Sequence, residues 1–135
     1  MSDPSPYQPP PPPPPQFQAP PPTSSGLTDN AACGLAYVTF IPAIIFLIVE
    51  PYNRSPNVRF HSWQSIFLAI AWVVVDMVLI FIGHMPLIGL INVMLFPLAA
   101  LGFFILWLIV IINAFNGKRF SLPLIGDLAA KQAGA

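Results

Sequence analysis

Charge is scarce in this chain. Five basic and five acidic residues make up 7% of its 135 residues, against roughly a quarter in an ordinary soluble domain. Net charge is zero, so there is no basic face for nucleic acid to bind. Cysteine is nearly missing as well. Cys33 stands alone, which excludes an intramolecular disulfide and a multi-cysteine metal site. No Lys or Arg precedes Arg54, and none lies between Arg59 and Lys118. The chain has apolar residues in abundance, 56% of the total, and they are gathered into three long runs. A soluble protein of this size could not bury that much apolar surface, and its core would not need such segregation.

The first run is not expected to be a signal peptide, because such a peptide begins with a basic segment close to the N-terminus. Here the residues ahead of the run carry only Asp3 and Asp29 as charges. Ala31-Ala32-Cys33 has the look of a lipidation site, but no apolar stretch leads into it.

Residues 1–27 read as a disordered, proline-rich tail, with an unbroken proline run from Pro9 to Pro15. Proline fixes φ and has no N–H, so the run favours an extended polyproline rod of roughly 22 Å. Such a rod serves as a solvated spacer or as a ligand for a proline-binding module. Residues 28–131 read as a helical transmembrane domain, and 132–135 as a short C-terminal end.

The expected fold is all-α, with three transmembrane helices at about 31–49, 62–82 and 90–115. Each is long enough for a hydrocarbon core of about 30 Å. Thr28 or Asp29 caps the first helix, Pro42 kinks it and Pro51 ends it. Ser55-Pro56 opens the second as an N-cap followed by proline. The stretch from Leu87 to Ala114 is too short for two crossings. It reads as one helix containing Pro97, stopped by Asn116-Gly117. The apolar residues after Lys118 suit a segment lying against the membrane.

Three crossings place the first connection and the C-terminal tail on one side. All five basic residues then share that side, which the positive-inside rule makes cytoplasmic. The chain reads as an integral membrane protein, with the N-terminus outside and the C-terminus inside.

Asp76 is the outlier among the apolar residues. An acid deep in a helix costs about 2.5–3.5 kcal/mol on insertion scales, and about a dozen neighbouring Leu, Ile, Val and Phe residues offset that cost. Matching depths across three crossings pairs Asp76 with Tyr37 in an interhelical hydrogen bond. A second cluster, Arg59-Phe60-His61-Ser62-Trp63-Gln64-Ser65, places His61, Gln64 and Ser65 on one helical face. Trp and Arg suit the headgroup level, and the polar face suits packing against other helices. Glu50 is expected to pair with a nearby arginine. No nucleophile-and-base arrangement stands out, so no enzyme, cofactor or metal site is expected. The partners expected are the bilayer, further copies of the chain or another membrane protein. Small residues such as Gly34, Ala36 and Gly102 permit close helix packing.

Two segments carry a family resemblance. One is Val49-Glu50 through Asn57-Val58-Arg59-Phe60-His61-Ser62-Trp63-Gln64-Ser65. The other runs Asn113-Ala114-Phe115-Asn116-Gly117-Lys118-Arg119-Phe120-Ser121-Leu122-Pro123-Leu124-Ile125-Gly126-Asp127-Leu128-Ala129. Together they resemble a family of small bacterial and archaeal membrane proteins of unknown function. That family is grouped as distantly similar to the Tic-twenty-like component of the chloroplast inner-envelope import machinery. The resemblance covers roughly Thr28 to Lys131. It implies a small helical membrane domain associated with protein translocation or assembly. It also draws attention to Gly117, Lys118, Arg119, Pro123, Gly126 and Asp127 beside the Arg59–Ser65 cluster. The expected function is a structural, assembly or translocation-associated membrane component; a small oligomeric channel or transporter using Asp76 is the alternative.

Overall fold

The computed structural model describes residues 26–134. The proline run and the disordered tail expected around it lie largely outside that range. Among the described residues every regular element is helical: α1 Asp29–Leu35, α2 Phe40–Ile48, α3 Pro56–Gly83, α4 Gly89–Phe115 and α5 Ile125–Ala133.

The first apolar run is not one continuous helix. Thr28 caps α1, its hydroxyl accepting from the Ala31 N–H at 3.3 Å, and Asp29 sits favourably in the first turn. The chain leaves the helix at Ala36 and is extended at Thr39 before α2 begins. Pro42 explains where α2 can start. It occupies the third helical position, where an N–H has no intrahelical partner to lose.

The two halves then double back. The Leu27 N–H donates to the Tyr52 hydroxyl at 2.8 Å, and the Ser55 hydroxyl donates to an Asp29 carboxylate oxygen at 2.7 Å. The entry to α1 and the exit from α2 are therefore neighbours. The continuous helix expected over 31–49 is instead two short helices, paired as a hairpin with both ends at the same end of the molecule. Leu27 also lies at the end that holds the residues after Phe115, where Gly117 meets Asn30.

Only α3 and α4 have the length and composition to cross a membrane among the described residues. At 1.5 Å per residue they are about 42 and 40 Å long, more than a core of about 30 Å requires. Ser55 caps α3 through the Val58 N–H at 3.5 Å, with Pro56 at the first helical position. Gly117, at φ +69°, supplies the left-handed residue that ends α4. A Cβ at Gly117 would press on the Asn30 side chain at 2.8 Å, so the same glycine admits the start of α1.

The core is concentrated at one end. Ala32, Cys33, Ala36 and Tyr37 of the hairpin region pack with Val58 and Leu68 of α3, Val110 and Ala114 of α4, and Leu122. A second cluster joins Phe60, Trp63 and Phe67 of α3 to Ala129 and Ala133 of α5. Midway along, Trp72 and Phe103 meet edge to face with ring centroids 4.6 Å apart. Beyond that level large apolar residues of α3 and α4 point outward, as Phe81 and Met94 do. Outward apolar surface of that extent suits lipid and not water.

Candidate functional site

The first three turns of α3 are the hub of the protein. Helical spacing stacks His61, Gln64, Ser65 and Leu68 on one face, and all four are buried. Tyr37 faces them from the end of α1, its hydroxyl 3.1 Å from His61 Nδ1. The expected Tyr37–Asp76 bond is therefore corrected to Tyr37–His61. Asp76 lies fifteen residues further along α3, about 22 Å away at helical rise. The depth match failed because it assumed a first segment that crosses, whereas the hairpin keeps Tyr37 beside the start of α3.

The break between α1 and α2 frees backbone carbonyls well inside the protein. Ser65 donates its hydroxyl to the Ala36 carbonyl. Trp107 of α4 donates its indole N–H to the Tyr37 carbonyl at 2.7 Å. Non-helical backbone is tolerated in an apolar setting when neighbouring side chains satisfy it in this way. Loss of either donor strands a carbonyl, at about 1–3 kcal/mol. We expect Ser65→Ala and Trp107→Phe each to lower the thermal midpoint of the detergent-purified protein, followed by size-exclusion chromatography after heating. Unchanged midpoints for both would remove the anchoring role.

The other side of the hub holds the C-terminal segment. Gln64 Nε2 donates to the Phe120 carbonyl at 2.9 Å, and Arg119 Nε donates to Asn57 Oδ1 at 2.7 Å. The Arg119 guanidinium also lies over the Phe60 ring, 5.2 Å from its centroid. The two sequence segments singled out for their resemblance are thus in direct contact.

The remaining candidates are more dispersed. Glu50 pairs with Arg54 at 2.9 Å, but both side chains are mostly exposed, which makes the pair a weak source of stability. Arg59 is half-buried at the edge of the hub. Lys118 and Pro123 are exposed, Gly126 is buried in the first turn of α5, and Asp127 is exposed on the same turn. Asp76 is half-buried in the far half of α3 and makes no hydrogen bond among the described residues.

Trp107 and the carbonyls it and Ser65 serve were not singled out from sequence. A lone tryptophan within an apolar run was the available signal, since a buried indole N–H needs an acceptor. Beneath the break, a lateral groove of about 610 Å³ runs between α3 and α4, with Trp72, Ala100 and Phe104 in its walls. Its lining is almost wholly apolar. Among the described residues no cluster of three or more His, Cys, Asp or Glu side chains is placed to hold a metal ion.

Two long apolar helices, a buried polar hub at one end and apolar residues facing outward at the other define a small integral membrane protein. More particularly, the chain belongs to the magnetosome magnetite crystal formation protein family, whose model matches residues 28–129. It is similar to a UPF0132 membrane protein of Archaeoglobus fulgidus, 38% identical over 80% of this chain and 98% of the relative. A UPF0132 membrane protein of Methanocaldococcus jannaschii is 40% identical over 79% of this chain and 90% of its own length. No solved structure matches.

Proposed function

We propose that this protein is a non-enzymatic structural or assembly component of a prokaryotic inner membrane, acting through copies of itself or another membrane protein. The observation that carries this reading is the closure of its best-formed polar site. Tyr37, His61, Gln64 and Ser65 are at most 6% exposed, and the hydrogen bonds of Gln64 and Ser65 go to the chain's own backbone. These groups hold the protein together, and only Tyr37 and Ser65 reach the wall of the apolar groove. The family's name, which refers to crystal formation in magnetosomes, supports a role within a specialised membrane. The Tic-twenty-like resemblance supports an association with translocation or assembly.

In this reading α3 and α4 cross the bilayer, and the α1–α2 hairpin enters from the basic end and returns. Arg54, Arg59, Lys118, Arg119 and Lys131 then face the cytoplasm under the positive-inside rule. Both the N-terminal tail and the C-terminus follow them there. A proline-binding partner for the tail would be cytoplasmic.

Asp76 supports the second reading, a small oligomeric channel or transporter, because an intramembrane carboxylate without a partner is a functional candidate. Crosslinking in native membranes with identification of the joined chains separates the two. We expect a defined product, altered by Asp76→Asn, with no change in ion or solute flux through reconstituted vesicles. Flux that Asp76→Asn abolishes while the crosslinks persist would replace assembly with transport.

A further inference from the structure

The cross-section of this protein is unequal at its two ends. Where the basic residues gather, α1, α2 and α5 surround the start of α3 and the end of α4. At the other end α3 and α4 stand alone, joined by the short connection around His84–Ile88.

The hairpin adds its bulk over a limited depth. Its turn at Ala36–Tyr37 is held by Ser65 and Trp107. Ser65 is nine residues into α3 and Trp107 eight residues before the end of α4, which puts the turn about 12–14 Å from the basic end. Part of that length lies at headgroup level, beside Arg59 and Trp63, so the turn stays within the leaflet of the basic end.

The faces of α2 show what surrounds the hairpin there. Ala43 and Phe46 are buried against the core. Ile41, Ile44, Ile45 and Ile48 are 56%, 43%, 47% and 70% exposed on the remaining surface. Four outward isoleucines on nine residues cannot be left to water, and at this depth acyl chains cover them. This end carries five cations against Asp29, Glu50 and Asp127, a positive balance, so the surrounding headgroups favoured are anionic.

We propose that the protein is a membrane wedge whose partner is a curved anionic lipid surface, with the basic end in the convex leaflet. The hairpin and α5 displace lipid from one leaflet only, so a bilayer that bulges toward the basic end accommodates the shape with less strain than a flat one. With that end in the cytoplasm, the favoured curvature is that of a vesicle enclosed within the cell. The inference rests on the two-crossing placement above.

The test uses the full chain, labelled at its N-terminal amine and reconstituted into anionic vesicles. Protein density per lipid area is compared between small sonicated and large extruded vesicles, and trypsin added outside sorts molecules by which end faces out. Molecules with the basic end outward should be enriched several-fold on small vesicles, and those with it inward should be depleted. Equal densities on both sizes in both orientations would overturn the proposal. The triple variant Ile41→Ala, Ile44→Ala, Ile48→Ala trims only the lipid-facing side of α2 and should reduce the enrichment. Cys33 protection from thiol reagents reports whether the hairpin remains docked in that variant. Full enrichment with Cys33 still protected would also overturn the proposal. Failure of the two-crossing placement itself shows separately, as labelling of positions 27 and 131 from opposite sides of the same vesicles.

Discussion

Cysteines placed at Leu27 and at Lys131, each in a Cys33→Ala background, will react with a membrane-impermeant maleimide from the same side of the membrane. A cysteine at Leu87 will react only from the other side. Leu27 is fixed by its N–H bond to the Tyr52 hydroxyl, and Asp29 by Ser55, so the chain enters the hairpin beside the start of α3. Lys131 lies on α5, which is packed on Phe60, Trp63 and Phe67 at the same end. Leu87, 92% exposed, lies in the connection between α3 and α4, a helix length away. The expected effect is all or none, read in intact and permeabilised cells. Leu27 sharing a side with Leu87 would restore a three-crossing topology and remove the hairpin.

Gly34→Val will uncouple the hairpin from α4. A Cβ at position 34 would press against the Phe115 ring far inside van der Waals contact, and the contact is with atoms of the ring itself. An isopropyl group therefore requires Phe115 to leave its site or α1 to move away. Overpacking of this kind costs about 1–3 kcal/mol, and more when neither side can yield. Two measurements report it: the thermal midpoint in detergent, which should fall, and the reactivity of Cys33. That thiol is fully buried one residue away, so it should resist alkylation in the native chain and react in the variant. Gly102→Ala is the control, because nothing lies within 4 Å of its Cβ position. It should be neutral or stabilising by up to about 1 kcal/mol from helix propensity alone. Equal Cys33 protection in Gly34→Val and the native chain would show that the α1–α4 contact does not hold the hairpin.

Local chemistry made much of the architecture legible. The Ser55 cap, Pro56 at the first helical position and the Asn116-Gly117 stop fixed α3 and α4 to within a residue or so, because each acts on its own backbone. The polar face His61, Gln64 and Ser65 was also visible, since helical period alone places those side chains together. Its partners were not visible. The Tyr37 hydroxyl, the Phe120 carbonyl and the Ala36 carbonyl lie 24, 56 and 29 residues from His61, Gln64 and Ser65. No pattern within one segment encodes such a pairing.

The first apolar run shows the boundary between the two kinds of information most clearly. Its apolar composition determined that it leaves water, and the distribution of Lys and Arg determined which end of the molecule is basic. Neither determined whether it crosses or returns, because twenty apolar residues have the length for both. Pro42 permits a new helix to start but does not fix the direction of the chain before it. The tertiary structure decided that direction by satisfying the broken backbone. Ser65 and Trp107 meet the two freed carbonyls, and Tyr52 and Ser55 close the entrance. An unpaired carbonyl in an apolar interior is costly, so the turn forms only where distant donors converge on it.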